Sequence, residues 1–77
     1  MKTEYDIYLR MRKEDVHDLS YILEVEDNLV NIRRYDRGLL RLIVPEDLKE
    51  DLLELLHGIK DVVDFEIERI EVNEGSA

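Results

Sequence analysis

Three carboxylates alternate with apolar residues in the segment VVDFEIER, residues 62–69, and they are the side chains that most directly suggest chemistry. Asp64, Glu66 and Glu68 would share one face of an extended chain, roughly 6.5–7 Å apart. Calcium requires oxygen ligands at about 2.3–2.6 Å, so a straight strand cannot bring all three carboxylates to one ion. We therefore expect a charge-paired sheet face. The facing residues of the first strand would be Tyr8, Arg10 and Arg12.

The other candidates for catalysis are two histidines and one serine. His17 and His57 lie on separate predicted helices, and neither has a second His or a Cys at metal-ligand spacing. Ser20 lies within a predicted helix and has no base near it in sequence. The chain also has no cysteine and no Gly-rich phosphate loop. We expect no catalytic residue, no required cofactor and no enzymatic activity.

The hydrophobic pattern predicts four strands and two helices in the order βαββαβ. Alternating apolar residues predict strands over 5–11, 29–35, 39–44 and 62–69. Apolar residues at helical spacing predict a first helix that begins near residue 13 and ends between residues 24 and 26.

Proline and glycine predict where the second helix and the hairpin turn lie. Pro45 should open the second helix, and Gly58 should end it in a left-handed conformation, with Ile59 packing back on the last turn. The sequence DRG at 36–38 predicts a three-residue hairpin loop in which Gly38 takes a positive φ.

This element order predicts an α+β ferredoxin-like sandwich. Right-handed crossovers give a four-stranded antiparallel sheet in the order 4-1-3-2, with both helices on one face. Leu9, Leu42 and Phe65 should be buried beneath the helices. We expect one domain over residues 1–72 and a loose tail over residues 73–77.

The charge balance limits the partners that the protein can have. The 77 residues contain 20 Asp and Glu against 11 Lys and Arg, for a net charge of −9. This balance disfavours nucleic-acid and anionic-membrane binding, because phosphate binding needs positive potential. The charged start MKTEYDIYLR and the lack of a long apolar run predict a cytoplasmic protein without a membrane segment. Abundant Glu and absent Gln are typical of thermophilic proteins.

The closing segment LLHGIKDVVDFEI, residues 55–67, together with the βαββαβ pattern resembles ACT-like domains. It also resembles a small bacterial or archaeal ACT-like family of unknown function. The resemblance covers about residues 4–70. ACT domains usually place a Gly-containing effector loop after the first strand, whereas residues 12–15 read Arg-Lys-Glu-Asp here. The resemblance implies the fold and self-association.

The sheet face away from the helices is the predicted binding surface, for a protein partner or for a second copy in a homodimer. If Tyr35 and Leu39 flank the turn, Arg33 lies opposite Arg41. Two facing like charges are unfavourable unless an anion compensates them, and the candidates are Asp6, Glu66, a partner subunit or a nucleic acid. The residues of this partner face would be Tyr8, Arg10, Arg33, Tyr35, Leu39, Arg41 and Ile43.

Two alternative functions stay open. Acidic loops that meet at one end of the molecule would bind calcium weakly. The ligands would be Glu26, Asp27, Glu46 and Asp47. RNA binding is the third hypothesis, but it needs two or three stacking aromatic residues on the central strands, where Tyr8 alone fits.

Overall fold

The predicted order of elements is confirmed. The computed structural model of the chain describes residues 3–25 and 31–73, and the side chains within 3–24 and 34–73. The elements are β1 (Glu4–Arg10), α1 (Lys13–Val25), β2 (Asn31–Asp36), β3 (Leu39–Pro45), α2 (Glu46–Gly58) and β4 (Glu66–Asn73).

The four strands form one antiparallel sheet in the order β2-β3-β1-β4. β1 lies in the centre and pairs with β3 on one side and β4 on the other, so that Ile7 stands between Leu42 and Ile70. β2 and β4 are the edge strands. This is the predicted α+β ferredoxin-like arrangement.

The core lies between one face of the sheet and the two helices. Alternate residues of β1 and β3 point into it, and each helix contributes a stripe of leucines at a spacing of four residues. The predicted burial of Leu9, Leu42 and Phe65 is confirmed, because Phe65 is only 3% exposed and the two leucines are fully buried. The fully buried side chains are Ile7, Leu9, Leu19, Leu40, Leu42, Val44, Leu52, Leu56 and Val63.

The β2–β3 hairpin closes through two residues, so the predicted three-residue loop is wrong. Asp36 pairs with Leu39, which leaves Arg37 and Gly38 as the loop. Their φ angles are 53° and 85°. Two positive φ angles define a type I′ turn, whose twist matches that of the flanking strands. The predicted positive φ of Gly38 is confirmed, and the shorter loop shifts the strand register by one residue.

The described part of α1 reaches Val25, and the second helix ends differently from the prediction. Gly58 is the last residue of α2 and does not adopt the predicted left-handed conformation. Ile59 caps the helix instead, with its amide donating to the carbonyl oxygens of Leu55 at 3.2 Å and Leu56 at 3.3 Å. Ile59 packs against the core as expected.

The last strand begins and ends later than predicted. β4 pairs Ile67 with Leu9 and Arg69 with Tyr8, so Glu68 is an extra residue in a β-bulge. The bulge reverses the alternation beyond it. Asn73, predicted to lie in the tail, ends β4 and is buried. The rest of the predicted tail, residues 74–77, lies outside the described residues.

Candidate functional site

The open face is the sheet surface opposite the core. Because Ile7, Leu9, Leu40, Leu42 and Val44 point into the core, the residues between them point the other way. Strand pairing adds the residues of β2 and β4 that lie beside these. The open face includes Asp6, Tyr8, Arg10, Arg34, Asp36, Leu39, Arg41, Ile43, Glu66, Arg69, Glu71 and Asn73.

Arg34, rather than the predicted Arg33, stands opposite Arg41. The two-residue loop moves the pairing by one position, and an irregularity between Ile32 and Arg34 places Arg33 in a bulge. The side chain of Arg33 lies outside the described side chains. The predicted pair of like charges therefore exists, with a different residue on β2.

The prediction that Tyr35 belongs to the partner face is wrong. Tyr35 pairs with Leu40 and packs, half-buried, against the core. Its hydroxyl donates to the carbonyl oxygen of Met11 at 2.9 Å. The cause is again the two-residue loop, because a shift of one residue moves a side chain to the opposite face of a strand.

Ile43 lies on the open face but is not available to a partner. It is only 2% exposed, although it stands outside the core cluster. Its partner across the strands is Asp6, which is 6% exposed. The expectation that Ile43 is exposed is therefore wrong, because this end of the open face is closed to solvent.

Asp6 organises a small polar cluster at that closed end. Arg41 donates from Nη2 to Oδ2 of Asp6 at 3.1 Å, and Asn73 donates from Nδ2 to Oδ1 at 3.1 Å. The hydrogen bond with Asp6 raises the pKa of Arg41 above its ordinary value, so the guanidinium stays charged. Both oxygens of the buried carboxylate thus have donors, as burial of a charge requires.

One buried donor of the Arg41 guanidinium is without a partner. Its Nε is buried and has no hydrogen-bond acceptor in the part of the chain that the structure describes. A buried polar group without a partner costs about 1–3 kcal/mol.

A pocket of about 330 Å³ lies beside Arg41 on the open face. Arg34 and Arg41 supply positive charge, and Tyr8 and Leu39 supply aromatic and aliphatic surface. Asp36 also lines it. The Arg69 guanidinium lies 4.1 Å from the centroid of the Tyr8 ring, which is the geometry of a cation–π contact. The pocket therefore combines cationic donors with an apolar wall.

The predicted charge-paired face between β1 and β4 is confirmed for Arg10 and Glu68. Arg10 Nε donates to Glu68 Oε1 at 2.6 Å. Arg12 does not reach β4 but pairs with Asp15 at 3.1 Å, and this hydrogen bond raises the Arg12 pKa. Among residues 3–25 and 31–73, no three His, Asp or Glu side chains converge as metal ligands.

Only two of the four predicted calcium ligands lie within the described residues. Glu26 and Asp27 lie outside the described residues, whereas Glu46 and Asp47 are exposed in the first turn of α2. Calcium binding at this acidic end stays a prediction. His17 and His57 are exposed on separate helices.

Sequence reasoning missed Arg34 and Asp36 as pocket residues. The predicted three-residue loop shifts both residues out of their observed register with β3. Gly38 between two alternating apolar segments fits a two-residue turn as well as a three-residue loop, because both need a positive φ at that position, and Arg37 is not typical of the first turn position. The two-residue turn would have placed Asp36 opposite Leu39.

A family model described as a domain of unknown function, DUF4911, matches residues 9–63, well over half of the chain. The chain belongs to the DUF4911 family. The matched span of this DUF4911 domain runs from the end of β1 through both helices and the hairpin. It includes four of the five pocket residues, namely Arg34, Asp36, Leu39 and Arg41.

No curated protein and no solved structure matches the DUF4911 domain significantly. Within the described residues, neither helix has the length and apolar character needed to cross a bilayer.

Proposed function

We propose that this DUF4911 domain is a non-catalytic interaction module that binds a protein partner, or a second copy of itself, through its open face. The observation that carries the proposal is the pocket formed by Tyr8, Leu39 and the two facing arginines. Aromatic and arginine side chains are enriched where proteins bind one another.

The position of the pocket in the fold supports this function. Both helices pack on the opposite face, where their leucines form the core. The pocket residues project from the three adjacent strands β2, β3 and β1, so a rigid sheet positions them. A partner would therefore meet a preformed surface, which lowers the entropic cost of binding.

We further propose that the domain is ACT-like and acts in the cytoplasm. The ferredoxin-like topology supports the first point. The absence of cysteine is consistent with a reducing compartment, where disulfides are rare.

Sedimentation of the whole chain from micromolar to millimolar concentration tests self-association. If a second copy covers the open face, Leu39→Asp should dissociate the dimer, because the charge would be placed at the pocket wall. Tyr21→Asp is the matched control, since Tyr21 is 69% exposed on α1 and lies outside the open face.

A dimer that Tyr21→Asp dissociates and Leu39→Asp preserves would place the interface on the helices and contradict the proposal. A wild type that remains monomeric at millimolar concentration would exclude self-association and leave an outside protein as the partner.

A further inference from the structure

We propose that the open-face pocket binds a carboxylate side chain of a protein partner, held by Arg34 and Arg41 beside an apolar residue that packs on Tyr8 and Leu39. This inference rests on the proposed function and gives the partner a chemistry.

The first argument is the arrangement of the two arginines. Arg34 and Arg41 stand directly opposite each other on β2 and β3. Like charges at facing positions of a sheet destabilise the pair unless an anion lies between or beside them. Asp6 answers Arg41. Arg34 is exposed and forms no ion pair within the described part of the chain, although Asp36 lines the same pocket, so its guanidinium donors remain available to a ligand.

The second argument is that Arg41 is already fixed. Its Nη2 is held by Asp6, and the side chain lines the pocket. A guanidinium held in this way loses little side-chain entropy when a ligand binds, and its planar donors suit a carboxylate. Arg34 supplies a second cation from the neighbouring strand.

The third argument is the apolar part of the pocket. Leu39 and the Tyr8 ring line it beside the arginines, and Arg69 lies near the same ring. An acidic residue followed or preceded by an apolar one would match both halves of the surface. A cavity of about 330 Å³ lies at the small end of ligand sites, which suits a side chain or two rather than a large cofactor.

The local charge favours a carboxylate over a phosphate. Asp36 lines the pocket and Asp6 lies next to Arg41, so two carboxylates accompany the two arginines. A phosphate monoester carries about −1.5 to −2 charges at neutral pH and would be repelled by both acids. A singly charged carboxylate is repelled less by these two acids, and its two oxygens fit the planar donors of a guanidinium.

Backbone amide resonances of the whole chain, titrated with three blocked tripeptides, test the proposal. The probes are acetyl-Leu-Glu-Leu-amide, its Gln counterpart and its phosphoserine counterpart. We expect the Glu peptide to shift the amides of Arg34, Leu39 and Arg41 selectively. We expect the Gln peptide to bind about three- to tenfold more weakly, the range for one exposed charge-assisted contact.

Two variants assign the effect to the pocket. Arg34→Gln should weaken binding of the Glu peptide about three- to tenfold, because it removes the unpaired cation. Arg37→Gln is the matched control, since Arg37 is exposed in the adjacent turn and does not line the pocket. This substitution removes the same charge as Arg34→Gln. We expect Arg37→Gln to leave the affinity unchanged.

Four results would overturn the proposal. Equal shifts from the Glu and Gln peptides would show that the charge is not recognised. An equal loss in Arg37→Gln and Arg34→Gln would reduce the effect to general electrostatic attraction. Tighter binding of the phosphoserine peptide would replace the carboxylate with a phosphate. If the wild type does not bind the Glu peptide but still forms an assembly that Leu39→Asp disrupts, the carboxylate proposal is refuted. The proposed function, binding through the open face, is then unaffected.

Discussion

Arg41 is the residue on which the polar part of the open face depends. It neutralises Asp6, which is buried, and Asn73 supplies the second donor to the same carboxylate. Removing the Arg41 guanidinium leaves the buried Asp6 carboxylate with one fewer donor. Removing the exposed Arg34 guanidinium leaves no buried charge without a donor. The two facing arginines therefore differ in what they contribute to stability.

Arg41→Met should lower the free energy of unfolding by about 1–3 kcal/mol, the cost of a buried polar group that loses its partner. Arg34→Met, at the facing position, should change it by less than about 0.5 kcal/mol, as exposed substitutions usually do. Urea denaturation of both variants measures the difference. Equal losses would mean that the Asp6–Arg41 pair does not stabilise the fold.

Phe65 is the one phenylalanine of the chain and lies almost fully buried just before β4. Phe65→Ala should cost about 3–5 kcal/mol through lost burial and the cavity that remains. A single domain of this size rarely has more than about 3–5 kcal/mol in total, so we expect loss of cooperative unfolding. Thermal unfolding by circular dichroism measures this outcome.

Val62→Ala is the control for Phe65→Ala. Val62 is 74% exposed three residues earlier in the chain, so its truncation should leave the melting temperature nearly unchanged. If Phe65→Ala also retains a cooperative transition with a similar melting temperature, the core assigned to this sheet is wrong.

At the scale of elements, the two described glycines provide a matched test of the turn and the helix. Gly38 has a φ of 85°, while Gly58 ends α2 and a methyl group there would meet open space. Gly38→Ala should destabilise by at least about 1 kcal/mol because Ala avoids positive φ. Gly58→Ala should be neutral or stabilise by up to about 1 kcal/mol.

Urea denaturation of both glycine variants measures this contrast. The reverse order of stability, with Gly58→Ala the more damaging, would restore the left-handed helix stop that the sequence suggested and would contradict the type I′ turn.

The elements were predictable because they follow from periodicity, but their register was not. Apolar alternation and helical spacing located all six elements and their order. Register depends on turn length and on bulges, each of which adds or removes one residue. One residue in the hairpin loop moved Tyr35 into the core side and exchanged Arg33 for Arg34. The bulge at Glu68 likewise reversed the outer half of β4.

At the scale of the whole molecule, the sequence located the open face but not its detailed chemistry. Tyr8, Leu39 and Arg41 were predicted and line the pocket. Asp6 was among the predicted counter-charges for Arg41, and the two residues form an ion pair. The burial of Ile43 and the contact of Asn73 with Asp6 were not predictable, because they depend on which side chains meet across three strands. Asn73 lies 67 residues from the Asp6 that it contacts, and no local pattern indicates such a pair.

A separate prediction concerns calcium binding at the acidic end of the molecule. If Glu46 and Asp47 bind calcium together with Glu26 and Asp27, calcium should shift the amide resonances of these residues selectively, and magnesium should act more weakly. The double variant Glu46→Gln, Asp47→Asn should abolish the selective shifts. Small uniform shifts that sodium chloride reproduces would indicate only screening of a chain with a net charge of −9.

The central claim is that the open face, rather than the helical surface, meets the protein partner. Photo-crosslinking in cells of the source organism tests it most directly, with a benzophenone side chain placed at position 39 on the open face or at position 21 on α1. We predict one defined protein adduct, a homodimer or a heterodimer, from position 39 and none from position 21. Excess wild-type chain should suppress the adduct from position 39, and excess Leu39→Asp variant should not. A defined adduct from position 21 alone would contradict the account.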